Sequence, residues 1–269
     1  MILKINNPLP KREFLKKIYN GDIICFENFE AINNINRKSK QIIGKLINPF
    51  DPEKIHKKSS HKKILSIILE FQKIFRNSSY ISNEITKFFH LLGFSSNELF
   101  LDRIYARVVS SNEKKNNFIG KYITDPLSFH RDTWGSNLYS QINWWSPIFK
   151  LQYENTMIIF PQFWDVPLKN DNKNFNLPEV INLNKNLILN GKKQMKSIPT
   201  LRQKVDLGSG IPILIKPGEI LAFSGAHAHS SMSNNSGFTR YSFETRTIFF
   251  PDFLNSVGAK NIDGASKWM

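Results

Sequence analysis

The chain has 269 residues, 41% of them hydrophobic and 22 of them phenylalanine, which is enough for a sizeable core and excludes a disordered or low-complexity protein. Its formal charge of +15 comes from 28 lysines and only 9 arginines, scattered beside abundant asparagine and isoleucine. Clusters such as Lys11-Arg12, Arg37-Lys38-Ser39-Lys40, Lys57-Lys58 and Lys192-Lys193 never reach five in a row and do not interleave aromatics, so they read as solvated surface rather than a nucleic-acid platform.

No apolar run reaches the ~20 residues of a membrane helix, so no membrane partner is expected. Met1-Ile2-Leu3-Lys4-Ile5 lacks the basic start and long apolar centre of a secretory signal. A lone Cys25 excludes intramolecular disulfides and thiolate clusters and fits a reducing cytoplasm.

The first hundred residues read mainly as helices with one strand. Phe14, Leu15 and Ile18 recur at helical spacing, and Asn20-Gly21 ends that helix. Residues 22–26 form a short buried strand, and Asn48-Pro49-Phe50-Asp51-Pro52 a turn-rich joint. Ile64, Ile67, Ile68, Phe71, Ile74 and Phe75 mark an amphipathic helix, followed by another through Ile85, Phe88, Phe89 and Leu92. His90 in this helix, and His56 and His61 in a lysine-rich stretch, read as packed or surface histidines.

Near residue 99 the texture changes. Strand-like runs cover 99–109, 139–147, 156–160, 211–215, 219–223 and 240–250. Residues 165–207 interrupt them as a polar, asparagine-rich insertion or lid. Helices first and strands after predict one domain over 1–269, with a mostly helical flank at 1–98 and a β core at 99–250.

Metal-binding residue types concentrate in Ser128-Phe129-His130-Arg131-Asp132-Thr133-Trp134. On a strand end, where side chains alternate, His130 and Asp132 point at one ion. A third ligand comes from Ser224-Gly225-Ala226-His227-Ala228-His229-Ser230. His227 and His229 are two apart, hence on one face. His229, which precedes the small polar run to Asn234, is favoured as the ligand, and His227 is left either supporting the ligands from behind or facing substrate. Two histidines and one carboxylate on one face of an ion form the facial set of non-haem iron(II) oxygenases.

Ser233-Asn234-Asn235-Ser236-Gly237 reads as a hairpin turn, which sets His229 opposite Arg240. A guanidinium beside a metal ligand suits an anionic bidentate cosubstrate. Arg246 shares a face with Arg240, Ser242 and Glu244 but lies roughly 20 Å further along the strand at ~3.3 Å per residue. It is assigned to substrate or structure. Alternation in Gln141-Ile142-Asn143-Trp144-Trp145 sets Gln141, Asn143 and Trp145 on one face, where they can meet a ligand, with Trp134, Tyr105 and Arg107 as further pocket candidates.

Together these residues resemble the iron(II)- and 2-oxoglutarate-dependent dioxygenases, and within them the phytanoyl-CoA dioxygenase-like group. His130-Arg131-Asp132 is similar to that group's His-x-Asp pair, and His229-Ser230-Ser231-Met232-Ser233-Asn234 to its distal histidine segment. Arg240 stands at the group's offset of eleven residues, and Arg240-Tyr241-Ser242 resembles the Arg-x-Ser that grips the far carboxylate of 2-oxoglutarate. The resemblance spans roughly residues 99–250.

The resemblance implies an α+β, mainly β fold: a double-stranded β-helix (jelly-roll, cupin-like) barrel with flanking N-terminal helices. It also implies Fe(II) on His130, Asp132 and His229, 2-oxoglutarate on Arg240 and Ser242, and O2 consumed in hydroxylating a C–H bond of a small or medium polar metabolite. An intact Asp132 favours hydroxylation, desaturation or ring chemistry over halogenation. Two alternatives stand beside this reading: a cupin-type metal enzyme using the His227-Ala228-His229 pair without a cosubstrate, and a basic, non-enzymatic binding protein.

Overall fold

The computed structural model describes residues 2–58, 61–111, 127–189 and 199–266. Its helices and strands follow from where the apolar side chains fall. Strand β1 (Ile2–Ile5) and helix α1 (Lys11–Tyr19) lead into β2 (Ile23–Phe26) and α2 (Glu30–Ile47). The short α3 (Ile55–Lys58) precedes α4 (His61–Arg76) and α5 (Ser79–Leu91). The Ser78 hydroxyl starts α5 by accepting from the Ile81 backbone N–H.

After α5 come β3 (Leu99–Leu101), β4 (Tyr105–Val109), the single turn α6 (Thr133–Ser136), β5 (Gln141–Pro147) and β6 (Met157–Ile159). Helix α7 (Leu177–Leu189) lies inside the expected insertion. The chain continues through β7 (Ile211–Pro212), β8 (Ile220–Ser224), β9 (His229–Ser231), β10 (Arg240–Phe249) and α8 (Phe250–Leu254).

Seven strands form one sheet in the order β1-β2-β8-β5-β10-β3, with β4 also pairing β10. Only β1 and β2 run parallel, so the sheet is mixed. A second sheet, β7-β6-β9, has three strands. Alternation along the large sheet gives it two apolar faces. On one, Ile24, Phe26, Ile142, Trp144, Ile220, Ala222, Tyr241 and Phe243 pack against α1, α2, α4 and α5. Trp144 sits at the centre of this layer, with ring centroids of Phe14, Phe26, Phe88 and Phe89 between 5.0 and 5.9 Å away. Its indole N–H donates to Thr247 Oγ1 at 2.8 Å. Each such fully buried large side chain contributes about 1.5–3 kcal/mol. On the other face Ile23, Cys25, Trp145, Leu221 and Phe223 meet Met157, Ile159, Ile213 and Ile215 from the small sheet and its flank.

Four expectations change here. Helix α2 was absent from the sequence reading although Ile32, Ile35, Ile42, Ile43 and Ile47 bury at helical spacing, because its basic cluster reads as surface. Strand β1 was also absent from the sequence reading, which had one strand in this part, and it pairs in parallel with β2. Among the described residues the two sheets meet through side chains, and their strands do not close into a barrel; the isolated His130–His229 bridge adds only one residue beside β9 of the small sheet. The segment 165–207 is not without structure, since it carries α7 and an Asn170–Leu201 bridge; Lys192-Lys193 and the rest of 190–198 lie outside the described residues. Among the described residues no helix is long and apolar enough to cross a membrane.

Candidate metal centre

His130, Asp132 and His229 are all buried, and one ligand atom from each lies within 4.8 Å of the others. His229 opens β9 of the small sheet. His130 joins it through an isolated bridge whose backbone N–H groups donate in both directions, at 3.0 and 2.9 Å. The side chains then converge, with His130 Nε2 3.3 Å from Asp132 Oδ1 and the two imidazole centroids 4.3 Å apart.

Both histidines are oriented in the same way. His130 Nδ1 meets the Ser128 carbonyl at 2.7 Å, and His229 Nδ1 meets the His227 carbonyl at 3.0 Å. A carbonyl can only accept, so each Nδ1 carries the proton and each Nε2 keeps its lone pair for an ion. Burial, followed by the neighbouring His130, lowers His229 from 6.5 to about 4, so it is neutral and ready to ligate at pH 7.

Asp132 is held at its other oxygen. Oδ2 accepts from Asn143 Nδ2 at 2.7 Å, Gln141 Nε2 at 3.1 Å and Arg246 Nε at 3.3 Å. Burial works against the carboxylate, but the charge of Arg246 outweighs it and holds Asp132 well below the usual carboxylate range. With Oδ2 saturated and Oδ1 turned to the histidines, the carboxylate is set to bind through one oxygen.

The backbone that brings Asp132 here differs from the sequence expectation. Asp132 has helical angles, φ −64° and ψ −34°, as the residue before α6, so a turn rather than strand alternation aims it beside His130. His227 likewise does not share a strand face with His229. It sits in a turn closed by its N–H on Ser224 O, its Nε2 lies 3.1 Å from Gly21 O, and its ring lies 4.4 Å from that of Trp164. It does not line the cavity, and the paired-histidine geometry needed by the cupin alternative is missing.

The hairpin at 233–237 does not form either. β9 pairs with β6, whereas β10 pairs with β4 and β5, because the chain between them crosses from the small sheet to the large one. Buried Asn234 stabilises the crossing by donating to Val109 O and Phe238 O. His229 and Arg240 therefore reach the same cavity from opposite sheets rather than across a ladder.

Arg240, Glu244 and Arg246 of β10 line this cavity. Glu244 forms a two-point pair with Arg107, at 2.7 and 3.2 Å, which outweighs burial and keeps Glu244 down at about 2. Arg246 divides itself between Asp132 at 3.3 Å and Asp102 at 3.7 Å. Arg240 has no carboxylate partner among the described residues. Its Nη1 donates to Asn155 O at 3.0 Å, and its buried Nε has no partner. Burial and the nearby Arg107 lower it to about 9, so it stays cationic at pH 7. Ser242 Oγ is a second buried atom without a partner, though Ser242 itself does not line the cavity.

Of the residues read as substrate-facing, Gln141, Asn143 and Arg246 instead give their donors to Asp132, although Asn143 and Arg246 remain on the cavity wall. Trp145 lines the cavity with Met157 and Phe223. Trp134 does not: it is fully buried and donates to Asp263 Oδ1 at 2.8 Å. Tyr105 stays outside while Arg107 lines it. The sequence reading passed over Arg131 and Asp263, a buried ion pair whose members are 132 residues apart with no local pattern linking them.

No protein-family model and no curated protein matches the chain. Among solved structures, EvdO2 from Micromonospora carbonacea var. aurantiaca aligns with a TM-score of 0.52 at 10% identity, over 99% of this chain and all of that one. EvdO2 complexed with 2-oxoglutarate gives the same figures. The ThoJ–Ni complex, a non-heme monooxygenase, aligns at 12% identity with a TM-score of 0.41 over 82% of this chain and 70% of that one. The chain shares the fold of EvdO2.

Proposed function

We propose that this protein is an iron(II)- and 2-oxoglutarate-dependent oxygenase acting on a C–H bond of a small or medium polar metabolite. The observation that carries the proposal is the pairing of two histidines, each held at Nδ1 by a carbonyl, and a one-oxygen carboxylate with a buried Arg240 that has no carboxylate partner among the described residues, in the same cavity. The donor set fits iron(II), which takes two histidines and a carboxylate and leaves positions open. The partnerless Arg240 Nε and Ser242 Oγ fit a carboxylate. On this reading the two sheets are the major and minor halves of an open double-stranded β-helix. The fold likeness to EvdO2, one of whose structures holds 2-oxoglutarate, adds support.

His130 and His229 would hold the ion through Nε2 and Asp132 through Oδ1. Arg240 and Ser242 would take the far carboxylate of 2-oxoglutarate. Trp145, Met157 and Phe223 give that space an apolar wall that limits water. The bound ion, 2-oxoglutarate and O2 would together supply oxidative decarboxylation coupled to C–H oxidation. Glu244 and Arg246 present the remaining polar groups to a substrate.

Calorimetric titration of 2-oxoglutarate into the protein with Mn(II) or Fe(II) tests the proposal. Binding that requires the metal is expected. No metal-dependent binding, together with no succinate release under any pool of candidate metabolites, would sink it.

A further inference from the structure

The residue between the two motif ligands is itself a junction. Arg131 is 1% exposed, and every nitrogen of its guanidinium is used. Nη1 donates to Ala226 O, in the turn that leads to His229. Nη2 donates to Phe163 O at 2.6 Å and Val166 O at 3.0 Å, and Nε to Asp263 Oδ2 at 3.1 Å. The first three acceptors are carbonyls, so among the described residues the only carboxylate in contact with this buried cation is Asp263, from the C-terminal segment.

Asp263 does more than balance charge. Its Oδ1 accepts from Trp134 Nε1 at 2.8 Å, and its Oδ2 also accepts from Leu168 N at 3.1 Å. Its backbone carbonyl accepts from Asn170 Nδ2 at 3.1 Å. One carboxylate thus grips the residues immediately before and two after Asp132, the ligand whose direction is set by a turn rather than by a strand. Through Arg131 it also reaches the turn before His229.

We propose that Asp263 is a positioning residue for the metal centre, and that the C-terminal segment around it locks the His130-x-Asp132 and His229 segments into one ligand set. The proposal rests on the metal-binding part of the functional reading, though not on 2-oxoglutarate chemistry. Removing the carboxylate leaves a buried guanidinium facing only carbonyls, which is costly. The relief open to it is for the Arg131 segment to move toward water, and this would carry Asp132 away from the histidines. Groups that orient ligands in this way change metal affinity by about 10- to 100-fold.

The test uses Co(II) alone, read by its visible absorption and by chelator competition, on the full-length wild type, Asp263→Asn and a chain ending at residue 262. Asp252→Asn serves as control. It removes another buried carboxylate from an arginine, Arg12, at α8 and outside the cavity. The expected result is a 10- to 100-fold weaker Co(II) affinity with an altered absorption spectrum for Asp263→Asn, and unchanged values for Asp252→Asn. Asp263→Glu, which keeps the charge, is expected to recover part of the affinity.

Asp263→Asn binding as tightly as wild type, with the same spectrum, overturns the inference and leaves the functional reading standing. So does an equal loss in Asp252→Asn at a matched drop in melting temperature, because that would be general destabilisation. If the truncated chain does not fold, the spectrum of Asp263→Asn alone decides. A wild type that takes no Co(II) overturns both readings.

Discussion

At the His130–Asp132–His229 end of the cavity, the Nδ1 atoms of both histidines and Oδ2 of Asp132 already have hydrogen-bond partners, and only the atoms facing one another are left over. At the Arg240 end, Nε of Arg240 and Oγ of Ser242 are buried with none among the described residues. An unsatisfied buried polar group costs about 1–3 kcal/mol. The metal end is therefore organised by the protein itself, and the arginine end is an incomplete arrangement that an anion would complete. Substitutions should separate the two ends.

The largest effect belongs to the ligands. His229→Ala is expected to abolish metal binding while His227→Ala retains it, because His227 is spent on Gly21 and Trp164. Metal content after loading and desalting decides this, and metal kept by His229→Ala would remove the assignment. Next comes Arg240→Met. It should weaken 2-oxoglutarate binding by about 2–5 kcal/mol, the range for removing one partner of a buried charge pair, while metal affinity holds. Because Arg240 has no carboxylate partner among the described residues, the same substitution should leave melting unchanged or raise it. A fall in melting temperature would mean that Arg240 is structural.

A smaller effect is expected from Asn143→Ala. Asn143 gives Asp132 its shortest hydrogen bond, 2.7 Å, and losing it should lower metal affinity by about 10- to 100-fold. Unlike Arg240→Met, it should also lower the melting temperature, because it breaks a buried network with no ligand needed to complete it. Chelator competition and thermal melts on the two variants place them on opposite sides of the comparison, and like-signed shifts in both would dissolve it.

What could be read from the sequence was which face a side chain takes, and what could not was which neighbour it meets. Period-two alternation put Arg240, Ser242, Glu244 and Arg246 on one face of β10, and Gln141, Asn143 and Trp145 on one face of β5, and the structure has them so. Alternation is silent on pairing, so His229 and Arg240 were set across a hairpin when they stand on different sheets. It also fails where the backbone leaves the strand, as it does at Asp132 and His227. Contacts between distant segments, Arg107 with Glu244 and Arg131 with Asp263, depend on topology and leave no local trace. That Gln141, Asn143 and Arg246 donate to Asp132 went unread for a related reason. Amides and an arginine near a metal pair look like substrate contacts until the carboxylate that claims them is located.

Acid should distinguish the two ends through the metal-free protein. Burial lowers His229 from 6.5 to about 4 and His227 from 6.5 to about 3. In the unfolded chain both take up protons as pH falls through about 6.5. In the folded chain they resist until about 4 and 3. Between these limits the unfolded state holds more protons, so the stability contributed by neutral, buried histidines is fully present above pH 6.5 and falls as pH falls. The loss is about 1.4 kcal/mol per pH unit for each histidine, ending near pH 4 for His229 and near pH 3 for His227. Asp132, held low by Arg246, and Arg240, lowered only to about 9, keep their charges through most of this window. Urea unfolding at pH 6.5, 5.5 and 4.5 measures the slope. His227→Gln is expected to cut it by about half and leave the pH dependence of metal binding in place, since His229 is one of the ligands and His227 is not. A slope that His227→Gln leaves untouched would mean that His227 is not held neutral between Gly21 and Trp164, and the contrast between a ligand and its buried neighbour would fall with it.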